Sequence, residues 1–164
     1  MTPPNTTPQA AAAGSLDRGL VPRLGATVIL AVIGILAFTA PWVRVAEDDK
    51  TLATTTLSGQ WETDRFYSID GSPLWAVGFA VLLTAIAIIV WLRPTAHAAA
   101  SAASLGGFAA LALLLFTWLG RGIWLDAGDL PEGMSLQMEW GYDLSLALSV
   151  ILIALSAYLM PSKD

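Results

Sequence analysis

The sequence contains no cysteine and a single histidine, His97. The absence of cysteine excludes a disulfide-stabilised scaffold, a thiolate metal site and a thiol nucleophile. A lone histidine excludes a haem held by two histidines and a zinc site built from several histidines. Its position in the short inner loop between two predicted spans also excludes a His–Ser relay inside the membrane. We therefore expect no cofactor and no metal centre of these kinds, and His97 is most simply a solvated loop residue.

Charged residues are also scarce. They make up 13% of the 164 residues, against about a quarter in an ordinary soluble domain. They lie almost entirely outside four long uncharged stretches, and hydrophobic residues make up 55% of the chain. This pattern excludes an ordinary soluble globule and a disordered chain. The net charge of −5 and the lack of a basic patch argue against nucleic acid as a partner.

The four uncharged stretches cover residues 24–43, 74–92, 98–120 and 144–160. The fourth span is predicted to extend back to cover 142–160, which brings Asp143 to the membrane edge. A helix needs about 17–25 apolar residues to cross a bilayer, so each stretch is a candidate span. Tryptophans lie at their ends, where amphipathic rings collect at the lipid headgroups, and Ser72-Pro73 is typical of a helix start. The sequence therefore predicts an all-α membrane protein, a bundle of four transmembrane helices. The alternative, a buried hairpin in a soluble core, is disfavoured by four such stretches in one short chain.

The segments between the spans predict how the chain is oriented. Residues 1–19, rich in Pro, Thr and Ala, are predicted to form a disordered cytoplasmic tail before a membrane domain of residues 20–164. Acidic residues concentrate in the two outer loops, 44–71 and 121–141, which favours a multi-pass protein of the cell membrane with both termini cytoplasmic. The cations do not decide the orientation, because they divide evenly: Arg18, Arg23, Arg93 and Lys163 inside, and Arg44, Lys50, Arg65 and Arg121 outside.

The first span is predicted to be a retained anchor rather than a cleaved signal peptide. Its end reads Ala37-Phe38-Thr39-Ala40-Pro41, which lacks the small-x-small pattern of a cleavage site.

The two outer loops are predicted to form a small acidic cap that contains β-strands. Residues 43–46 and the β-branched run 51–57 flank a polar turn, which is typical of a hairpin. Residues 134–140 alternate for part of their length and are predicted to lie beside that hairpin as a strand. Aromatic residues of the loops need cover, from the cap, the headgroups or a partner protein. The candidate partner-binding residues are Trp61, Phe66, Tyr67, Trp124 and Trp140.

Small residues recur at helical spacing in the third and fourth spans. Ala99, Ala103 and Gly107 repeat every fourth position, and such rows let helix backbones approach closely in lipid. In the fourth span a helical wheel brings three serines to one face: Ser145, Ser149 and Ser156. These six residues are predicted to be helix-packing positions. The alternative for the serines is a polar path for a substrate, but no ionisable residue lies deep in any span, as transporters and pumps usually have.

The acidic residues of the loops provide candidates for other chemistry. Asp126, Asp129 and Glu132, with Asp48-Asp49, carry the oxygen ligands that calcium prefers, but their spacing matches no strict calcium loop. A solvated acidic loop is the simpler interpretation. Carboxylates for hydrolysis could be drawn from the same loops, yet nothing in the sequence sets any two at a catalytic separation.

Two short fragments accompany this layout, Pro41-Trp42-Val43 and Leu57-Ser58-Gly59. With four spans, a long first outer loop and a short inner turn, the chain resembles the small four-helix membrane proteins of unassigned role in high-GC Gram-positive bacteria, including the tryptophan-biosynthesis-associated type. It also resembles claudin-like proteins, whose paired loop cysteines are missing here. The resemblance implies a fold and no active site.

These observations predict a non-catalytic integral membrane accessory or assembly protein. It would bind a larger membrane complex, or a second copy of itself, through the Trp-rich outer loops and the small-residue helix faces. One alternative is a small transporter or channel subunit. Another is a membrane enzyme that acts on a lipid-linked substrate and uses an outer carboxylate.

Overall fold

The structure is a computed structural model that describes residues 20–48, 50–59, 61–63, 72–120 and 132–158, and for residues 61–63 the backbone alone. This part of the chain contains four long helices: α1 (Leu20–Thr39), α2 (Pro73–Trp91), α3 (Ala96–Leu119) and α4 (Trp140–Tyr158). All four are long and apolar enough to cross a membrane. The prediction of four apolar helices is confirmed, and the chain is compatible with a multi-pass membrane protein.

The helices start and end where the local sequence favours it. Ser72 caps α2, since its hydroxyl accepts the Trp75 backbone N–H at 3.3 Å, and Pro73 occupies the first turn. Thr95 caps α3 in the same way, accepting the Ala98 N–H at 3.1 Å. Ser72 and Thr95 each accept a hydrogen bond from a free amide of the first helical turn, and Pro73 has no amide hydrogen that would need an acceptor.

The first helix lies four residues earlier than the predicted stretch 24–43, which was wrong at both ends. Pro41 explains the end of α1, because proline lacks an N–H and disfavours helical geometry in the residue before it. Val43 consequently begins a strand instead of ending a helix. The other helices begin within two residues of the predicted spans. The predicted tail 1–19 and the last two residues of the predicted fourth span lie outside the described residues.

Helices α1, α2, α3 and α4 pack in sequence order around the bundle, since each contacts the next and α4 contacts α1. Helix α3 also contacts α1 across the centre. The buried core includes Leu30 and Ile33 of α1, Leu83 of α2, Leu114 of α3 and Leu152 of α4. The bundle therefore has one continuous apolar interior.

Strands from the two loops form one antiparallel sheet. They are β1 (Val43–Glu47), β2 (Lys50–Thr55), β3 (Trp61–Thr63) and β4 (Met134–Met138), in the order β3-β2-β1-β4. The hairpin of β1 and β2 and the neighbouring strand β4 were both predicted from the loop sequences. Strand β1 is paired with β2 on one side and with β4 on the other. The pairing of β1 with β2 has a register shift between Val45 and Ala46. The sheet thereby ties the α1–α2 loop to the α3–α4 loop.

Candidate functional site: the sheet end of the bundle

Trp42 joins the helices to the sheet through its side chain, which is fully buried. Its Nε1 donates a hydrogen bond to the Leu36 carbonyl of α1 at 2.9 Å. Its ring makes edge contacts with Phe79 of α2 and Tyr142 of α4, with centroids 5.6 and 6.0 Å apart. The sequence placed this tryptophan at the membrane surface as the end of a span, whereas the structure buries it among three helices.

The backbone around Trp42 forms a second set of links. Its N–H donates to the Thr55 carbonyl of β2 at 2.8 Å, and its carbonyl accepts the Glu139 N–H at 2.9 Å. The Gly141 N–H donates to the Pro41 carbonyl at 3.0 Å. A Cβ at Gly141 would lie 2.6 Å from that same carbonyl oxygen, so the close approach of α4 to residue 41 requires glycine here. The start of α4 is thus held against the end of α1 and the sheet.

A polar cluster lies on the sheet next to this junction. Arg44 of β1 is paired in register with Gln137 of β4. The guanidinium donates to the Gln137 Oε1 from Nη2 at 2.6 Å and from Nε at 3.0 Å. The Arg44 Nε also lies 3.4 Å from a carboxylate oxygen of Glu139, with 34% and 20% of the two side chains exposed. Partly exposed ion pairs contribute at most about 1 kcal/mol, so the cluster orients these groups more than it stabilises the sheet.

Trp140 directly follows this cluster as the first residue of α4, and 53% of it is exposed. We call Arg44, Gln137, Glu139 and Trp140 together the cap surface. Trp140 follows Glu139 in the chain, and Glu139 is the ion-pair partner of Arg44. Trp and Arg are enriched where proteins bind each other.

Only one of the five predicted partner-binding residues, Trp140, has a described side chain. Trp61 lies in β3, with its backbone paired opposite Thr55, and its side chain lies outside the description. Phe66, Tyr67 and Trp124 fall outside the described residues. Sequence reasoning missed Arg44, Gln137 and Glu139, because only the register between β1 and β4 brings them together. The alternation of apolar and polar residues in both strands was the available signal.

The six predicted packing residues are all buried inside the chain: Ala99, Ala103, Gly107, Ser145, Ser149 and Ser156. A Cβ on Gly107 would lie 3.2 Å from the Ser149 carbonyl oxygen, so α3 and α4 approach closely there. The Ser145 and Ser149 hydroxyls donate to carbonyls one turn earlier in α4, at 2.7 and 2.9 Å. The small-residue face is therefore occupied by the chain's own helices, and two of its hydroxyls are bonded to the helix that carries them.

Within the described ranges, no group of three or more His, Asp or Glu side chains is placed to hold a metal ion. Of the candidate calcium ligands, Asp48 and Glu132 are described, whereas Asp49, Asp126 and Asp129 are not.

Comparison with known protein families, with curated proteins and with solved structures gives no match for this chain. The resemblance to small four-helix membrane proteins consequently remains a prediction.

Proposed function

We propose that this protein is a non-catalytic integral membrane accessory protein that binds a partner protein through its cap surface. The observation that carries the proposal is the sheet formed by both loops, which fixes the Arg44 cluster beside the half-exposed Trp140. A surface whose side chains are already held by hydrogen bonds loses less freedom when it binds, which reduces the entropic cost of association.

The outer faces of the helices support the membrane location. Leu74 of α2, Leu105 of α3 and Ile151 of α4 are 86%, 70% and 52% exposed. A helix on the surface of a soluble protein carries polar residues on its outer face, whereas these helices are apolar inside and outside. Lipid is the solvent in which such a bundle exposes no unfavourable surface.

The serines of α4 favour a binding role over transport. The hydroxyls of Ser145 and Ser149 bond back to their own helix and are buried against α3, which leaves them engaged in packing. No Asp, Glu, Lys or Arg lies in the central turns of the four helices, and such residues usually mark a transport pathway.

Charges at the two ends of the bundle support an orientation with the sheet outside and the termini in the cytoplasm. Arg23 and Arg93 meet at the end away from the sheet, where the Arg23 Nη2 donates to the Arg93 carbonyl at 2.7 Å. Glu47, Asp48 and Glu139 lie at the sheet end. The cations are evenly divided between the two sides, so the support for this orientation comes from the acidic residues at the sheet end and from the position of Arg23 and Arg93 against the helix ends.

The lack of native cysteine permits a direct test of this orientation. Lys50 in the sheet and His97 at the start of α3 are both exposed and can each be replaced by cysteine. We expect a membrane-impermeant maleimide to label Lys50→Cys on intact cells, and His97→Cys only after the membrane is permeabilised. The reverse pattern would show that the orientation is wrong.

Partner binding is tested with two aromatic residues at opposite ends of α4. Trp140 is 53% exposed at the sheet end, and Tyr158 is 86% exposed at the other end. Membranes of the native host are solubilised in mild detergent, and the size of the complex that contains each full-length variant is measured by native electrophoresis. We expect Trp140→Ala to lower the share of the protein in a large complex by about tenfold, a typical result for a central interface tryptophan, and Tyr158→Ala to leave it unchanged. A wild-type protein that migrates alone, or equal losses in both variants, would refute the proposal.

A further inference from the structure

A groove runs along the outer surface of the bundle between α1 and α2. Its volume is about 480 Å³, within the range of about 300–1,000 Å³ typical of small-molecule sites. On α1 it extends from Thr27 to Thr39, and on α2 from Ala80 to Ala87. Twelve residues of helix correspond to about 18 Å at 1.5 Å per residue. This α1–α2 groove is therefore slightly longer than one leaflet of hydrocarbon, which is about half of the 30 Å core of a bilayer.

The polar atoms along the groove already have partners. The hydroxyls of Thr27, Thr39 and Thr84 donate to carbonyls one turn earlier in their own helices, at 2.8, 2.9 and 2.8 Å. The other lining residues are Gly, Ala, Leu, Ile and Phe. An occupant of this groove needs no hydrogen-bonding groups, and a hydrocarbon chain meets that requirement.

The end of the groove away from the sheet is polar and cationic. The Trp91 Nε1 donates to the Thr27 hydroxyl at 2.7 Å, which closes the groove between α1 and α2. One turn beyond Thr27 lies Arg23, whose Nη2 is bonded to the Arg93 carbonyl. The Arg23 Nε is a buried nitrogen without a hydrogen-bond partner in the described part of the chain. A buried donor without an acceptor is unfavourable, so an acceptor supplied by a ligand would stabilise this end of the groove.

We propose that the α1–α2 groove with Arg23 and Arg93 is a binding site for an anionic phospholipid. One acyl chain lies in the groove, and the phosphate accepts hydrogen bonds from the arginines at its end. Basic sites between transmembrane helices on the cytoplasmic side bind anionic headgroups in this way. The described acidic residues lie at the sheet end of the bundle, so the structure offers the arginines no carboxylate in their place. This site lies at the opposite end from the cap surface and does not depend on a protein partner.

The test uses the full-length protein, reconstituted in vesicles of phosphatidylglycerol and phosphatidylcholine in equal amounts. After solubilisation, the lipids that remain bound are counted by native mass spectrometry. We expect the wild type to retain phosphatidylglycerol in preference to phosphatidylcholine. Arg23→Gln and Arg93→Gln should each lower this retention about fivefold, the ratio that corresponds to about 1 kcal/mol per cation at an anionic surface. Lys50→Gln, at the sheet end, removes the same charge and should have no effect.

The groove is tested by a matched pair of Ala→Phe variants at exposed helix positions. Ala31 lines the groove, whereas Ala154 lies on α4 away from it. We expect Ala31→Phe to fill the groove and displace phosphatidylglycerol as strongly as the arginine variants, and Ala154→Phe to leave it bound.

Arg93→Gln keeps the backbone carbonyl that accepts from Arg23, so its effect does not depend on disrupting that contact.

Three results would overturn the proposal. Equal retention of both lipids by the wild type would show that the arginines do not select the headgroup. A loss with the arginine variants but not with Ala31→Phe would reduce the site to a surface contact without a bound chain. A dimer that Ala31→Phe dissociates would show that a second copy occupies the groove.

Discussion

Replacing Gly107 by alanine should weaken the contact between α3 and α4. A Cβ at this position would lie 2.6 Å from the Cγ1 of Ile153, and 3.2 Å from both the Ile153 backbone N and the Ser149 carbonyl oxygen. The isoleucine side chain is stiff because it branches at Cβ, and the two backbone atoms move only if the helices separate. The methyl group therefore has no space unless α4 shifts.

The expected magnitude follows from two opposing terms. Adding a methyl group to a well-packed interior costs about 1–3 kcal/mol, while alanine is favoured over glycine within a helix by about 0.8–1.0 kcal/mol. Gly78 of α2 provides the matched control, because a Cβ there meets nothing within 4 Å. Gly107→Ala and Gly78→Ala gain the same helix propensity, because both replace glycine by alanine within a helix. The difference in the free energy of unfolding between Gly107→Ala and Gly78→Ala therefore isolates the packing cost, about 1–3 kcal/mol.

Reversible unfolding in mixed micelles, followed by helical circular dichroism, measures this difference. We expect Gly107→Ala to unfold at a lower denaturant fraction than the wild type, and Gly78→Ala at an equal or higher one. Gly107→Val should be less stable still, because it adds two further methyl groups to the same contact. If Gly107→Ala proved as stable as Gly78→Ala, the close approach of α3 to α4 would be refuted.

Three further changes probe the junction, the serine face and the hairpin turn. Trp42→Phe removes the indole N–H that donates to the Leu36 carbonyl, while that carbonyl still accepts the Ala40 N–H at 3.0 Å. We expect the lost hydrogen bond to lower the free energy of unfolding by about 0.5–1.5 kcal/mol. Ser149→Ala removes a hydroxyl that donates to the Ser145 carbonyl one turn back and, among the described residues, to no other group. It should change the free energy of unfolding by less than about 1.5 kcal/mol, and a larger loss would contradict the packing role. Asp48 has a φ of 47°, where a β-branched residue is strained. Asp48→Val should therefore destabilise the hairpin by about 1–2 kcal/mol, measured by hydrogen exchange of the strand amides, whereas Asp48→Gly should not.

The helices and strands could be predicted because their signals are local. Long uncharged runs predict spans from composition alone, and a polar turn between β-branched residues predicts a hairpin. The boundary error in α1 arose because hydropathy continues past Thr39 to Val43, although Pro41 stops the helix. Hydropathy measures how apolar a segment is, whereas the end of α1 depends on Pro41, which has no backbone N–H.

The contents of the candidate site could not be predicted in the same way. An aromatic residue after a span is ordinarily an interfacial anchor, and only the return of α4 and the sheet onto α1 buries Trp42. Likewise, Arg44 and Gln137 are 93 positions apart in the chain, and their contact requires the pairing of β1 with β4. Spacing did predict a packing face on α3, but it does not tell which helix packs against it.

The junction at Trp42 also determines how a bound partner would act on the bundle. The Trp42 backbone is hydrogen-bonded to β2 and to Glu139, and its indole to α1. A partner on the cap surface would hold Arg44, which lies two residues after Trp42, and Trp140, which lies between the junction residues Glu139 and Gly141. Unfolding of α1 or α4 would move Arg44 and Trp140 and release the partner. Partner binding would therefore stabilise the folded helices by linkage. An anionic lipid in the α1–α2 groove would act on α1 from the other end. The two ligands would therefore stabilise the same folded bundle without touching each other, the partner through the junction at Trp42 and the lipid through α1 and α2.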